Sequence, residues 1–178
     1  MELNKQYNTI TYIQSLGISC AGVDSSSEMV ALAKQNTAAD IRCEDFAHTS
    51  FESKSFDLIT SKWAMQTSPE IDPIYKEAHR LLKSDGYFVF LVVHPIRQFL
   101  EKKKPGKSYF EKEIVDSIIF DGAITVYEPS HTLKEYLSET FLSLFTLQSI
   151  DEGAEFPAAE QIDGDIYPTH LIVTAQKK

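Results

Sequence analysis

Cysteine is scarce in this chain, with two residues among 178. Cys20 and Cys43 lack the spacing of a metal site or of a secreted disulfide framework. Both lie in apolar runs, so we interpret them as reduced core residues of a cytoplasmic protein. No charged-then-apolar leader follows Met1, and no apolar run reaches the length of a membrane span. The sequence therefore predicts a soluble protein.

Positive charge is also in deficit, since 17 Lys and Arg face 26 Asp and Glu for a net charge of −9. This balance argues against nucleic acid or an anionic membrane as a partner. The one basic cluster, Lys102, Lys103, Lys104 and Lys107, is typical of a solvated loop, although it could steer an anionic substrate. Length and a hydrophobic fraction of 43% predict a single domain over residues 1–178.

Helix and strand patterns alternate through the first half of the chain. Apolar spacing closed by Gly17 predicts a helix over residues 8–16. Apolar runs predict strands at residues 18–23, 39–43 and 56–61, and the last lacks alternation, which is typical of a strand buried on both faces. This alternation predicts an α/β fold with a parallel sheet.

The second half begins with the best-delimited helix. Asp72 before Pro73 predicts an N-cap, and the apolar face continues until Asp85-Gly86. A strand over 87–93 is ended by His94-Pro95. Residues 96–130 break the pattern and are interpreted as a lid or insertion. A helix over 132–141 and two strands over 144–150 and 169–175 complete the prediction.

A carboxylate lies where a strand meets a helix in Gly22-Val23-Asp24-Ser25-Ser26-Ser27-Glu28-Met29. Ser25 followed by Glu28 predicts a capping box for a helix through Asn36. Asp24 then lies at the carboxyl end of a strand, where ligands bind in open α/β sheets and where an acidic side chain can bind ribose hydroxyls. Alternatively, Asp24 only places favourable charge at the helix dipole.

Read together, several segments resemble class I S-adenosylmethionine-dependent methyltransferases, in particular the small-molecule, type 11-like group that includes quinone-biosynthesis-like enzymes. The resemblance extends over almost the whole chain. It rests on the segment around Asp24, on Cys43-Glu44-Asp45-Phe46, on Phe56-Asp57-Leu58-Ile59-Thr60-Ser61, and on residues 81–90.

The resemblance implies a Rossmann-like three-layer α/β sandwich whose mostly parallel sheet, ordered 3-2-1-4-5-7-6, has an antiparallel carboxyl-terminal strand. It implies S-adenosylmethionine as cofactor, with Asp24 on the ribose and Asp45 and the Phe46 amide on the adenine. Ser25 and Ser61 complete the cofactor-binding residues that the resemblance implies.

The implied partner is a small-molecule methyl acceptor. His94-Pro95, His131-Thr132-Leu133 with Tyr136, and Glu155 with Pro157 are similar to segments that surround the acceptor pocket in a subgroup of the family. A histidine of near-neutral pKa can remove a proton from an attacking hydroxyl or amine, which makes His94 and His131 the catalytic candidates and Glu155 a third. Each histidine also has a structural interpretation, His94 as a strand-end residue and His131 as a residue at a helix start.

Two features depart from the family. Its first motif is a strand followed by a glycine-rich loop that holds the methionine end of the cofactor, whereas residues 1–16 contain no glycine. The resemblance therefore implies an amino-terminally truncated domain that lacks the first, central strand. In addition, Gln66 and Thr67 stand where many relatives carry paired histidines.

Three functions remain open at this point. The leading one is methyl transfer to a small molecule, impaired by the missing first motif. The second is a noncatalytic or split-enzyme fragment that acts through a protein partner or a second copy, which would cover the missing strand. The third is nicotinamide dinucleotide binding, which shares the acid after the second strand. An antiparallel pair formed by the last two strands would favour a methyltransferase over the third.

Overall fold

The computed structural model describes residues 7–119, 124–154 and 164–178. The chain divides into two compact units, Met1–Phe51 and Glu52–Lys178. Among the described residues, no helix is long and apolar enough to cross a membrane.

The described residues of the first unit, 7–51, form two helices and a two-stranded parallel sheet. Strands β1 (Ala21–Asp24) and β2 (Asp40–Cys43) pair with Asp24 opposite Cys43. Helix α1 (Tyr7–Ser15) precedes β1, and α2 (Ser27–Asn36) joins the two strands. The core consists of Val30, Ala33 and Ile41, against which Ile10 and Ala39 pack.

Helix α2 ends at Asn36 as predicted, but its N-cap is Ser26 and not Ser25. The Ser26 hydroxyl accepts from the Met29 amide at 3.3 Å and donates to the Glu28 carboxylate at 2.9 Å. Because the Asp24 carboxylate accepts from the Ser26 amide at 2.8 Å, it fixes the turn that places Ser26 at the cap. The predicted capping box therefore lies one residue too early.

The second unit is built on a four-stranded mixed sheet in the order β3-β4-β8-β7. Strands β3 (Phe56–Lys62) and β4 (Leu82–Val93) are parallel, whereas β8 (His170–Lys177) is antiparallel to both β4 and β7 (Phe145–Gly153). The predicted antiparallel pair at the end of the chain is confirmed.

The strand order within each of these two sheets matches a part of the order 3-2-1-4-5-7-6. The pair β1-β2 corresponds to 3-2, and the four-stranded sheet corresponds to 4-5-7-6. Among the described strands, β1 pairs with β2 alone and β3 pairs with β4 alone. No described strand pairs with either β1 or β3 on its other side.

The prediction that residues 56–61 are buried on both faces is wrong. Strand β3 is half-buried to exposed along its length, and the Leu58 side chain is 52% exposed. An apolar run without alternation is typical of a parallel strand covered on both faces, whereas both faces of β3 remain partly exposed.

Aromatic side chains form the core on one face of the four-stranded sheet. Phe88 and Phe90 of β4 contact Tyr75 of α3 (Asp72–Leu81), with ring centroids 6.3 and 6.1 Å apart. Phe141 of α6 (Glu139–Leu144) lies 5.1 Å from Tyr75 and stacks on Phe145. The Tyr75 hydroxyl donates to the Tyr136 carbonyl at 2.7 Å, which ties α3 to α5 (Leu133–Tyr136).

Three helix boundaries differ from prediction. Asp72 was predicted as the N-cap of α3 but is the first residue of that helix, and Ile71 is the N-cap. The Asp72 carboxylate does not cap the helix, because it accepts from the Ser138 and Thr140 hydroxyls at 2.6 Å. Helix α3 ends at Leu81, and β4 begins at once, before the predicted stop at residues 85–86. The predicted helix over 132–141 is two helices, because Ser138 caps α6 by accepting from the Phe141 amide.

The predicted lid or insertion at 96–130 contains regular structure. Helix α4 (Pro95–Glu101) begins at the proline that was read only as a strand end, and β5 (Ile114–Ile119) pairs antiparallel with β6 (Ile124–Pro129). Whether this segment moves as a lid stays a prediction.

The interpretation of both cysteines as core residues is wrong, since Cys20 is half-buried and Cys43 is exposed; both thiols are free.

Candidate functional site

Strand pairing in the first unit brings the predicted ribose and adenine residues together at the carboxyl ends of β1 and β2. Asp24 and Cys43 are paired, and the Glu44 amide donates to the Asp24 carbonyl at 3.2 Å. The Cys43 thiol lies 3.6 Å from the Ser25 carbonyl. The residues that follow β1 and β2 are therefore neighbours at the carboxyl ends of parallel strands, where ligands bind in open α/β sheets.

One oxygen of the Asp24 carboxylate is available to a ligand. Oδ1 accepts from the Ser26 amide, and among the described residues no hydrogen bond engages Oδ2. Asp24 is half-buried and lines a cleft of 120 Å³ with Gly22, Val23 and Met29. A carboxylate fixed by one oxygen and open at the other fits the ribose hydroxyls of the expected cofactor.

Asp45 and Phe46 follow β2 in a tight turn. Asp45 Oδ1 accepts from the Ala47 amide at 2.8 Å, and the His48 amide donates to the Asp45 carbonyl at 2.9 Å. Asp45 is exposed and Phe46 is half-buried, an arrangement that fits a polar and an apolar contact to a nucleobase. The residues present thus fit the nucleoside portion of S-adenosylmethionine.

The methionine portion has no comparable match. Residues 1–16 contain no glycine, so they supply no glycine-rich loop for close backbone approach. Ser61, the remaining predicted cofactor residue, is half-buried on β3 in the second unit. Its cofactor contact stays a prediction, as do those of Asp24, Ser25, Asp45 and Phe46.

His131, the second predicted catalytic histidine, is buried in the second unit, and its catalytic role stays a prediction. Its side chain is buried, and Nε2 lies 3.2 Å from the Gln66 carbonyl. Because a carbonyl only accepts, Nε2 holds the proton and Nδ1 holds the lone pair. Burial lowers the pKa of His131 despite the nearby Glu135, which favours the neutral ring at pH 7.

Three buried polar atoms around His131 have no hydrogen-bond partner among the described residues. They are His131 Nδ1, the Tyr136 hydroxyl and the Gln66 side-chain oxygen. The His131 and Tyr136 rings are 5.3 Å apart. A buried polar atom without a partner costs about 1–3 kcal/mol, so each of these atoms calls for an explanation such as a bound polar group.

A buried hydrogen-bond network holds the backbone of His131 in place. The Gln98 side chain accepts from the His131 amide at 2.8 Å and donates to Glu128 at 3.0 Å and to the Pro129 carbonyl at 3.2 Å. Ser117 donates to Glu101 at 2.7 Å in the same network. Gln98 is fully buried, so it positions the backbone of His131 without reaching a ligand.

We expect Glu128 to make stability fall as pH rises. Burial raises the pKa of this carboxyl, and the neighbouring Glu101 adds to the effect. A carboxyl whose pKa is raised by folding stabilises the protein below its unfolded pKa, near 4.5, and loses that contribution as pH rises through the folded pKa.

Urea denaturation of wild type and Glu128→Gln at pH values from 4 to 8 measures this effect. The Gln side chain keeps an acceptor for Gln98, so the variant should gain stability relative to wild type with rising pH. A difference between the two proteins that does not change with pH would contradict the prediction.

His94 is engaged at both ring nitrogens. Nδ1 accepts from the Ile96 amide at 3.1 Å and caps α4, and Nε2 lies 2.7 Å from the Glu152 carboxylate. The residue is 3% exposed. This geometry agrees with the structural interpretation of His94, whereas its catalytic role stays a prediction.

Several residues at this site were not singled out by the sequence. Glu135 forms a capping box with Thr132. The sequence pattern Thr-x-x-Glu predicts such a capping box and could have identified Glu135. Gln98 and Glu128 gave no local signal because they are 30 residues apart. Glu155 and Pro157 lie outside the described residues.

Comparisons with known proteins concern the family and the fold of this chain. Residues 7–90 match the family model described as a methyltransferase domain. The chain is 28% identical over 130 residues to a demethylmenaquinone methyltransferase of Lactobacillus johnsonii, covering 68% of this chain and 52% of that protein. It is 32% identical over 74 residues, 42% of this chain, to the biotin biosynthesis bifunctional protein BioHC of Saccharophagus degradans, of which it covers 13%.

The chain thus spans about half, or less, of the length of these curated relatives. Among solved structures, it is similar to a putative S-adenosylmethionine-dependent methyltransferase from Listeria monocytogenes, with a TM-score of 0.70 and 24% identity over 90% of this chain and 80% of that one. At this identity the likeness shows the fold alone. Residues 7–90 thus match a methyltransferase domain, and the chain shares the fold of solved S-adenosylmethionine-dependent methyltransferase structures.

Proposed function

We propose that this chain carries the nucleoside-binding and acceptor-binding parts of a methyltransferase for small molecules. The observation that supports it most directly is the pairing of β1 and β2, which brings Asp24 and Asp45 to one sheet edge. The family match agrees with the activity, and the unpartnered polar atoms around His131 support a polar acceptor.

Asp24 and Asp45 would hold the ribose and the adenine of S-adenosylmethionine. The cofactor, when bound, supplies an activated methyl group on a sulfonium. The free oxygen of Asp24 offers an acceptor to a ribose hydroxyl, while its other oxygen stays on the Ser26 amide. The helix cap therefore holds the carboxylate in place and limits the entropy lost on binding.

His131 would act on the acceptor. Its Nδ1 lone pair takes a proton from a hydroxyl or ammonium, and the Gln66 carbonyl, which accepts from Nε2, stabilises the imidazolium that forms. The Tyr136 hydroxyl and the Gln66 side chain would orient the acceptor's polar groups. Gln98 is a positioning residue, because it acts through the His131 backbone.

We also infer that the 178-residue chain binds the cofactor weakly, because residues 1–16 offer no glycine-rich loop. Ribose and adenine contacts alone should give a Kd of about 0.1–1 mM for S-adenosylhomocysteine. Equilibrium dialysis with this compound and with NADH tests the proposal. Saturable binding of S-adenosylhomocysteine with no binding of NADH is expected.

Two outcomes would contradict different parts of the proposal. Binding of NADH at similar affinity would favour the dinucleotide reading and overturn the methyltransferase reading. Micromolar binding of S-adenosylhomocysteine would keep the function but overturn the inferred impairment, since the methionine portion would then be held as well.

A second candidate is a split-enzyme or noncatalytic fragment that acts through a protein partner. The one-sided pairing of β1 and β3 among the described strands favours it, since open parallel edges accept a further strand. Light scattering over a range of concentrations distinguishes a second copy from a different polypeptide. A monomer that binds no protein from its source organism would count against this candidate.

A further inference from the structure

An open groove of 680 Å³ lies beside His131 in the second unit. We call it the acidic groove. Its apolar lining comes from Ile71, Tyr109, Phe110, Leu137 and Leu142. This volume is in the range of sites for small organic ligands, which are usually apolar with a few polar groups.

The charged lining of the acidic groove is mostly negative. Five carboxylates and two ammonium groups line it, an excess of three negative charges: Glu70, Asp72, Glu111, Glu135 and Glu139 against Lys112 and Lys134. An organic cation therefore complements the groove, whereas an organic anion would be repelled.

His131 provides a second, independent indication of a ligand. The flanking residues Ser130 and Thr132 line the groove. Nδ1 of His131, which has no hydrogen-bond partner within the described part of the chain, belongs to a fully buried side chain and lies 3.8 Å from Oε1 of the groove-lining Glu135. The nitrogen of one ligand ammonium group, placed between two acceptors 3.8 Å apart, can lie within about 3 Å of both.

Lys112 already places a cation against the Glu135 carboxylate. Its Nζ lies 2.7 Å from Glu135 Oε1 and donates to the Pro69 carbonyl. Since the Lys112 side chain is 36% exposed, it can leave when a ligand ammonium arrives. Glu135 stays in place, because its other oxygen accepts from the Thr132 amide at 2.7 Å.

We propose that the acidic groove takes the methyl acceptor as an organic ammonium compound with an apolar or aromatic part, and that Glu135 selects it. Lys112 occupies the ammonium position when the groove is empty. This assignment of the acceptor class rests on the proposed function.

Three ligands of similar size and different charge test the proposal by saturation-transfer NMR. These are 2-phenylethylammonium, 2-phenylethanol and 3-phenylpropionate. The ammonium compound should bind, the alcohol should bind more weakly, and the carboxylate should not bind. Equal binding of all three, or no binding of the ammonium compound, would overturn the proposal.

Two substitutions should move the affinity for 2-phenylethylammonium in opposite directions. Glu135→Gln keeps an acceptor for Thr132 but removes the charge, so it should weaken binding about tenfold. Lys112→Met removes the competing ammonium and should tighten binding. Asp165→Asn, an exposed change outside the groove, is the control and should leave the affinity unchanged.

An unchanged affinity in both Glu135→Gln and Lys112→Met would also overturn the proposal. If Glu135→Gln does not fold, Lys112→Met and the ligand series on wild type still decide it. No cofactor is present in these measurements, so failure here leaves the titration with S-adenosylhomocysteine unaffected. Conversely, ammonium binding without cofactor binding would contradict the proposed function but not a cation site.

Discussion

Replacing Phe141 with Ala should lower the free energy of unfolding by about 3–5 kcal/mol. Phe141 has no exposed surface, and its ring lies 5.1 Å from Tyr75 and 5.6 Å from Phe145. Removing it leaves a cavity where α6 packs against the aromatic core, and close-packed neighbours can fill such a cavity only in part. Urea denaturation followed by circular dichroism measures the loss.

Leu142→Ala is the matched control for Phe141→Ala. Leu142 is the next residue of α6, but 47% of its surface is exposed. We expect a loss of about 1 kcal/mol or less, the usual range for a partly exposed position. Equal losses for the two variants would mean that α6 does not pack through Phe141.

Replacing Asp24 with Asn should weaken the binding of S-adenosylhomocysteine by about 1.5–3 kcal/mol, or roughly 10- to 150-fold. Asn keeps an oxygen that accepts from the Ser26 amide, so the turn before α2 is preserved. What is lost is the charge that strengthens a hydrogen bond to a ribose hydroxyl. Equilibrium dialysis of wild type and variant measures the change.

Asp24→Asn also decides between the two interpretations of this carboxylate. If Asp24 only places charge at the helix dipole, the variant should lose about 0.3–1 kcal/mol of stability with no change in affinity. Asp40→Asn serves as the control, since Asp40 begins β2 at the opposite end from Cys43 and forms an exposed ion pair with Arg42. It should leave the affinity unchanged.

The fold was predictable where local pattern and long-range pairing agree. The parallel pair β1-β2 and the antiparallel pair β7-β8 follow from motif order. The exposure of β3 was not predictable from the sequence. An apolar run indicates a strand that can be buried, but it does not show which elements pack against that strand. Leu58 is 52% exposed, so no neighbour covers its side chain fully, although the residue lies in a paired strand.

Local signals also failed where adjacent residues offer the same chemistry. Ser25 and Ser26 both carry a hydroxyl, and only the hydrogen bond from the Ser26 amide to Asp24 decides which one caps α2. Likewise, Asp72 before Pro73 suggested an N-cap, but the hydroxyls of Ser138 and Thr140 engage its carboxylate. These partners are 66 and 68 residues away, so no local pattern reveals them.

The candidate site was predictable in part. His131 and Asp24 came from motifs. In the described ranges, Nδ1 of the histidine and Oδ2 of the aspartate have no hydrogen-bond partner. The sequence did not distinguish His131 from His94. The two histidines differ in their hydrogen bonds. Both ring nitrogens of His94 are engaged, Nδ1 by the Ile96 amide and Nε2 by the Glu152 carboxylate, and no local sequence pattern shows this.

The most direct test of the account is a two-dimensional ¹H–¹⁵N NMR titration of the ¹⁵N-labelled chain with S-adenosylhomocysteine. We predict saturable shifts of the amides that follow β1 and β2, in particular those of Ser25, Ser26, Phe46 and Ala47, with a Kd of about 0.1–1 mM. Assigned spectra in which these amides stay unshifted at 5 mM ligand, about five times the upper limit of that Kd, would contradict the claim that this edge binds the nucleoside of the cofactor.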